Sequence, residues 1–166
     1  MVEVTDAALQ QAAGEGMGAF IQVFTDAYKR VIGGELTADT MPLLTGEQHS
    51  LLAYQIFRDE LMEGGFCQLV QNGYGGYIFA NPFAKVMRLW GVGDLSKLVY
   101  AAKKIYDVHR EDLERERTDD EFMAMYEQYE AFDGLEDEFL EKEEEYTALV
   151  ASYVDEHLES FAKIIK

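Results

Sequence analysis

The stretch TGEQHSLLAYQIFRDELMEGGFCQLVQN, residues 45–72, decides the fold class. It opens on Thr45-Gly46-Glu47-Gln48, a capping box in which a Thr oxygen and a Gln side chain satisfy free backbone N–H groups. Leu51, Leu52, Ile56, Phe57 and Leu61 follow at three- and four-residue steps, one face of an amphipathic helix. Gly64-Gly65 predicts its end, and a short helix over residues 66–71 stops at Asn72-Gly73. The period is helical throughout, with no alternation to suggest a strand.

The same signals extend in both directions. Upstream, Met17, Phe20, Val23, Phe24, Ala27, Tyr28 and Val31 line a helix stopped by Gly33-Gly34, and residues 35–44, with Pro42, form a connector. Downstream, residues 73–79 (GYGGYIF) predict a loop with a short extended stretch, because each glycine costs a regular helix about 1 kcal/mol. Asn81 is the expected cap of a helix over residues 82–90 that closes at Gly91. Asp94 is the expected cap of the next, lined by Leu95, Leu98, Val99, Ala102, Ile105 and Tyr106 and running to about residue 116. Thr118-Asp119-Asp120-Glu121 is a second capping box, with Phe122, Met125, Tyr126, Tyr129 and Phe132 as the stripe behind it and Gly134 as an interruption. A long pattern from Leu135 to Ile165 predicts a final helix reaching the end of the chain. The expectation is an all-α single domain, residues 1–166, of six to eight helices around a Gly/aromatic-rich central loop. Residues 1–44 would form the N-terminal helix and connector.

The 166 residues, 48% hydrophobic with 10 Phe and 10 Tyr, suffice for a packed core and exclude a disordered chain. The one cysteine, Cys67, excludes a disulfide framework and multi-cysteine metal sites, and reads as a small core residue. No apolar run approaches the ~18 residues that span a bilayer, and the N-terminus is not a signal peptide, so a cytoplasmic protein is expected.

Charge is the strongest compositional fact. Lys plus Arg number 14 and Asp plus Glu 32, a formal net charge of −18. Residues 1–106 carry 11 acids and 8 bases; residues 107–160 carry 21 acids and 4 bases. A surface of this sign repels phosphate backbones and anionic membranes, which argues against direct nucleic-acid or membrane binding; it suits basic proteins, cations or solubility alone, and composition does not choose among the three.

Sites for chemistry are not evident. His49, His109 and His157 follow Gly46, Tyr106 and Val154 by three residues, so the Glu-x-x-His signature of di-iron bundles is missing. HExxH, an EF-hand loop, a Walker lysine and a dinucleotide fingerprint are missing too. No metal, cofactor or catalytic residue is expected; a small enzyme would need two buried carboxylates converging in a pocket. The acids of the C-terminal third are the better candidates. Asp133, Asp137, Glu141 and Glu145 are four apart, about 6 Å along a continuous helix, a step comparable with phosphate spacing on a DNA strand. With Asp119, Asp120, Glu136 and Glu144 they form the expected partner-binding surface. The alternative is a helical scaffold or interaction module whose contact surface is an exposed aromatic patch: Tyr74, Tyr77, Phe79, Phe83 and Trp90 around the glycine loop.

The run Glu60, Glu63-Gly64-Gly65-Phe66, Gln68, Leu69, Asn72 resembles the DMP19-like family, whose pattern is Glu, two residues, Asn-Gly-Gly-Phe, one residue, Gln, an aromatic, two residues, Asn. Glu63 replaces the asparagine and Leu69 the aromatic; the resemblance covers residues 45–160. It implies an all-helical fold and, from a founding member that is a DNA mimic, an acidic interaction module occupying the DNA-binding surface of a basic, repressor-type transcription factor. Glu60, Gly64, Gly65, Phe66, Gln68 and Asn72 would be scaffold, with Gln68 and Asn72 satisfying backbone groups. A homodimer is compatible if its contact avoids the acidic region.

Overall fold

The computed structural model describes residues 1–166, and helices dominate it. The order is β1 (Glu3–Thr5), α1 (Asp6–Glu15), α2 (Met17–Val31), α3 (Gly46–Glu63), α4 (Gly65–Gln71), α5 (Phe83–Leu89), α6 (Gly93–Glu114), α7 (Asp119–Gln128), α8 (Asp133–Glu156), α9 (Leu158–Phe161) and β2 (Lys163–Ile165). The all-α class holds, with eight helices of seven residues or more. No helix is long and apolar enough to cross a membrane.

The chain gathers into two compact units, residues 1–55 with 147–166, and residues 56–146. In the first, α2 buries Phe20, Ile21, Phe24 and Tyr28. The Tyr28 hydroxyl donates to the Phe161 carbonyl at 2.7 Å, and Gln48 Nε2 donates to the same oxygen at 3.0 Å. Gln48 also completes the capping box: its N–H meets Thr45 Oγ1 at 3.2 Å while its Oε1 accepts from the Thr45 N–H. The expected final helix does not reach the chain end. It breaks at His157, and residues 163–165 pair in parallel with β1, Val4 opposite Ile164. These two strands are three residues each, too short for an alternating pattern to register.

The second unit is built around phenylalanines. Phe66 stacks on Phe132 with centroids 4.9 Å apart, and Phe57 packs against Phe66, Phe83 and Phe139. The central glycine segment holds no extended stretch: residues 76–80 wind as a π turn. Gly75 is required just before it, because a Cβ there would sit 2.7 Å from the Tyr106 ring. Asn81 does not cap α5; its side-chain amide turns back to the Tyr77 carbonyl at 3.0 Å. Val92 occupies the N-cap of α6, and Asp94 lies in the first turn with Lys142 3.7 Å away. Helix α6 kinks at His109 and ends at Glu114. The Thr118–Glu121 capping box forms as expected. The break after α7 falls at Tyr129, not Gly134, which lies in the first turn of α8.

Candidate protein-interaction surface

Helices α7 and α8 carry every acid expected on the partner-binding surface. Because Gly134 lies within α8, Asp133, Asp137, Glu141 and Glu145 stand on one continuous helix. They advance about 6 Å per step along its axis and drift about 40° around it. These four, with Asp119, Asp120 and Glu144, are exposed, and no lysine or arginine pairs with any of them.

The cations of residues 107–145 are all engaged elsewhere. Arg110 pairs with Glu114 at 3.0 Å; Arg115 reaches Asp112 and Glu121 at 3.1 Å each. Arg117, its side chain buried, donates to the Asp112 carboxylate at 2.9 Å and to its carbonyl at 2.6 Å. Lys142 turns to Asp94 and Glu138, while Arg58 from α3 holds Glu143. Neutralised acids thus fasten the unit and the unneutralised ones, Glu136 apart, face solvent. Glu111, Glu116, Glu127 and Glu130 join the exposed set; only their polar character could have flagged them in the sequence.

Glu136 is the member of the expected surface that turns inward. Its carboxylate accepts from the Phe66 N–H at 2.6 Å and lies against Gly65, whose φ of +80° and lack of a Cβ leave room for it. Burial raises the Glu136 carboxyl above its ordinary range, the Phe66 hydrogen bond opposes this, and Asp133 and Asp137 add to the rise. The Gly64 carbonyl accepts from the Tyr126 hydroxyl of α7 at 2.8 Å. The Gly64–Phe66 turn therefore holds both acidic helices, one through each peptide face.

The rest of the motif locks that turn. Glu60 accepts from Gln68 Nε2 at 2.8 Å and from Asn72 Nδ2 at 3.0 Å. Gln68 and Asn72 serve this carboxylate with their side chains, not the backbone groups expected of them. Gly64 is needed because a Cβ would collide with the Gln68 side chain. Behind the turn, Cys67 is buried and its thiol is pushed up to about 12, mainly by burial.

The junction of α6 and α7 is set by Asp112, which accepts from the Tyr129 hydroxyl, Arg115 and Arg117. The tyrosine hydroxyl, first, and Arg115 hold the Asp112 carboxyl below the usual range. Burial, with the Asp112 hydrogen bond, pushes the Tyr129 phenol up to about 12.

The aromatic patch is not on the surface. Phe79 is 2%, Phe83 2% and Trp90 6% exposed, and Tyr74 and Tyr77 are half-buried; the Phe79 ring lies against Tyr106 of α6 and the Phe83 ring against Phe57 of α3. No cluster of three His, Cys, Asp or Glu side chains is placed to hold a metal ion.

The family described as DMP19-like protein matches residues 42–157, which include α3 to α8. DNA mimic protein DMP19 of Neisseria meningitidis serogroup B (strain ATCC BAA-335 / MC58) is 30% identical over 127 residues, 76% of this chain and 77% of that protein. With the Glu60–Asn72 motif, the chain belongs to the DMP19-like protein family.

Proposed function

We propose that this protein is a DNA mimic that occupies the DNA-binding surface of a basic DNA-binding protein through the acids of α7 and α8. The observation carrying this reading is the partition of charge: seven of the eight expected acids are exposed without a cation, while the local arginines and Lys142 are engaged with other acids. A rigid helix presenting carboxylates at regular steps offers a DNA-binding groove what a phosphate strand offers. Net charge of this sign speeds encounter with a basic surface at low salt. The role is one of binding, with no catalytic step, and belongs in the cytoplasm of a bacterium, where transcription factors meet DNA.

The experiment is a competition assay. Candidate DNA-binding proteins on labelled DNA are titrated with this protein at low ionic strength. Displacement of DNA from a subset of them, weakening with added salt, is expected. Retention of DNA across a broad panel at low salt would count decisively against the reading.

A further inference from the structure

The C-terminal acidity hides a patch of opposite sign. Over residues 64–106 Asp94 is the one acid, against Lys85, Arg88, Lys97, Lys103 and Lys104, and Asp94 is itself engaged by Lys142. Lys85 and Arg88 are exposed on α5, and Lys97 and Lys104 on α6, none of the four with an ion pair. Lys103 reaches Asp107 at 2.6 Å across an exposed helix turn, a pair worth little in water.

Two of these cations, Lys85 and Lys103, line a cleft between the π turn, α5 and α6. Its floor is apolar (Ile78, Phe79, Ala84 and Val99), its rim carries Lys85, Tyr100 and Lys103, and its volume is about 300 Å³. Tyr100 is 42% exposed on the rim, and Leu89 is 64% exposed on the same helix as Lys85 and Arg88. π turns are rare and concentrate at functional sites.

We infer that this α5–α6 face binds an acidic peptide segment of a partner protein, which inserts one aromatic or aliphatic side chain into the cleft and lays its carboxylates on the surrounding lysines. The size of the cleft suits a single side chain, and a polar rim around an apolar pocket is the anatomy of an anchored interface. The cations are too widely spread for one small anion: Lys97 and Lys104 alone lie about 10 Å apart along α6. A long phosphate backbone would run past this patch into the field of the 21 acids in residues 107–160, whereas a short segment covers the cations alone. This face uses none of the acids invoked for DNA mimicry, so the two readings stand or fall separately.

The full-length protein is titrated into a fluorescein-labelled synthetic peptide of Asp and Glu around one central Phe. The parallel arms are the same peptide with Ser for Phe and a single-stranded oligonucleotide of equal length. Binding of the Phe peptide is expected. It should weaken at least about tenfold on removing the Phe and again in the K85E/K103E variant, be unchanged in D137N/E141Q, and shift the amide resonances of Ala84, Val99 and Tyr100. Equal binding of the Phe and Ser peptides, tighter binding of the oligonucleotide, or indifference to K85E/K103E would overturn the inference.

Discussion

The Glu136 carboxylate, 70 residues away in sequence, accepts the backbone N–H of Phe66 at 2.6 Å, at the start of α4. An acid in the densest acidic stretch is thus a structural acceptor, capping a buried turn while its neighbours Asp133 and Asp137 face solvent. Removing the acceptor strands a donor on the fully buried Phe66. Glu136→Ala is expected to cost about 1–3 kcal/mol, and Glu136→Gln, whose amide oxygen still accepts, markedly less. Urea denaturation of both variants checks the order; equal losses would contradict the assignment.

Titration of Glu136 has its own signature. Its carboxyl is raised in the fold, first by burial, from an ordinary 4.5. The folded protein therefore keeps a proton that the unfolded chain releases, so this group lowers stability as pH rises from about 4.5 through the raised value. Glu136→Gln should flatten that segment of the stability–pH curve, measured by urea midpoints between pH 4 and 7 at about half-unit steps.

Asp112 and Glu114 act in the opposite sense. Tyr129 and Arg115 hold Asp112 below its ordinary 3.8, and Tyr106 with Arg110 holds Glu114 below 4.5 against some burial. Their stabilisation is complete above those ordinary values and is lost as pH falls through the lower folded ones. Acid unfolding is expected to begin below about pH 4 with loosening of the α6–α7 junction. In Asp112→Asn the acid limb should become shallower by circular dichroism.

Gly65 is the position least tolerant of a side chain. Alanine there would strain a φ of +80° and collide with the Glu136 carboxylate. The left-handed conformation alone costs about 1–2 kcal/mol. Gly65→Ala should lower the thermal midpoint and weaken any DNA displacement as the two acidic helices lose their shared anchor. Tyr126→Phe, which removes one neutral hydrogen bond to Gly64, should cost only about 0.5–1.5 kcal/mol. A Gly65→Ala protein as stable as the parent would refute this account of the turn.

Charge removal on the outer face should separate binding from folding. Asp137→Asn, Glu141→Gln, Glu144→Gln and Glu145→Gln touch exposed carboxylates without ion pairs, so stability should stay within about 0.5 kcal/mol or rise as like charges are relieved. Affinity for a DNA-binding protein that loses its DNA in the competition assay should fall stepwise, by roughly 0.2–1 kcal/mol per charge, with a shallower salt dependence. Neutralising the paired Glu121 or Glu138 should affect competition less.

Local rules left a readable trace. The two capping boxes, Thr45–Gln48 and Thr118–Glu121, and the apolar periods of α2, α3 and α6 located those helices because their causes lie within a few residues. The outward acids were legible for the same reason: the face opposite Phe139 and Tyr146 on α8 has nothing apolar to bury. The π turn at residues 76–80 was not, since its shape depends on the Tyr106 ring packed against Gly75. Asn81 carried a cap signal, but its side-chain amide donates to the Tyr77 carbonyl and its oxygen caps nothing in α5.

Amino-acid order alone thus located the helices whose caps and apolar stripes are local, α2, α3, α6 and α7, and determined that negative charge concentrates in the C-terminal third. Tertiary structure alone decided which acids are taken up by ion pairs and buried turns. Arg58 finds Glu143 across 85 residues, Phe66 finds Glu136 across 70, and Tyr129 and two arginines converge on Asp112. Such pairings are set by how helices pack, and residue spacing along a chain says nothing about which distant side chains packing will bring together.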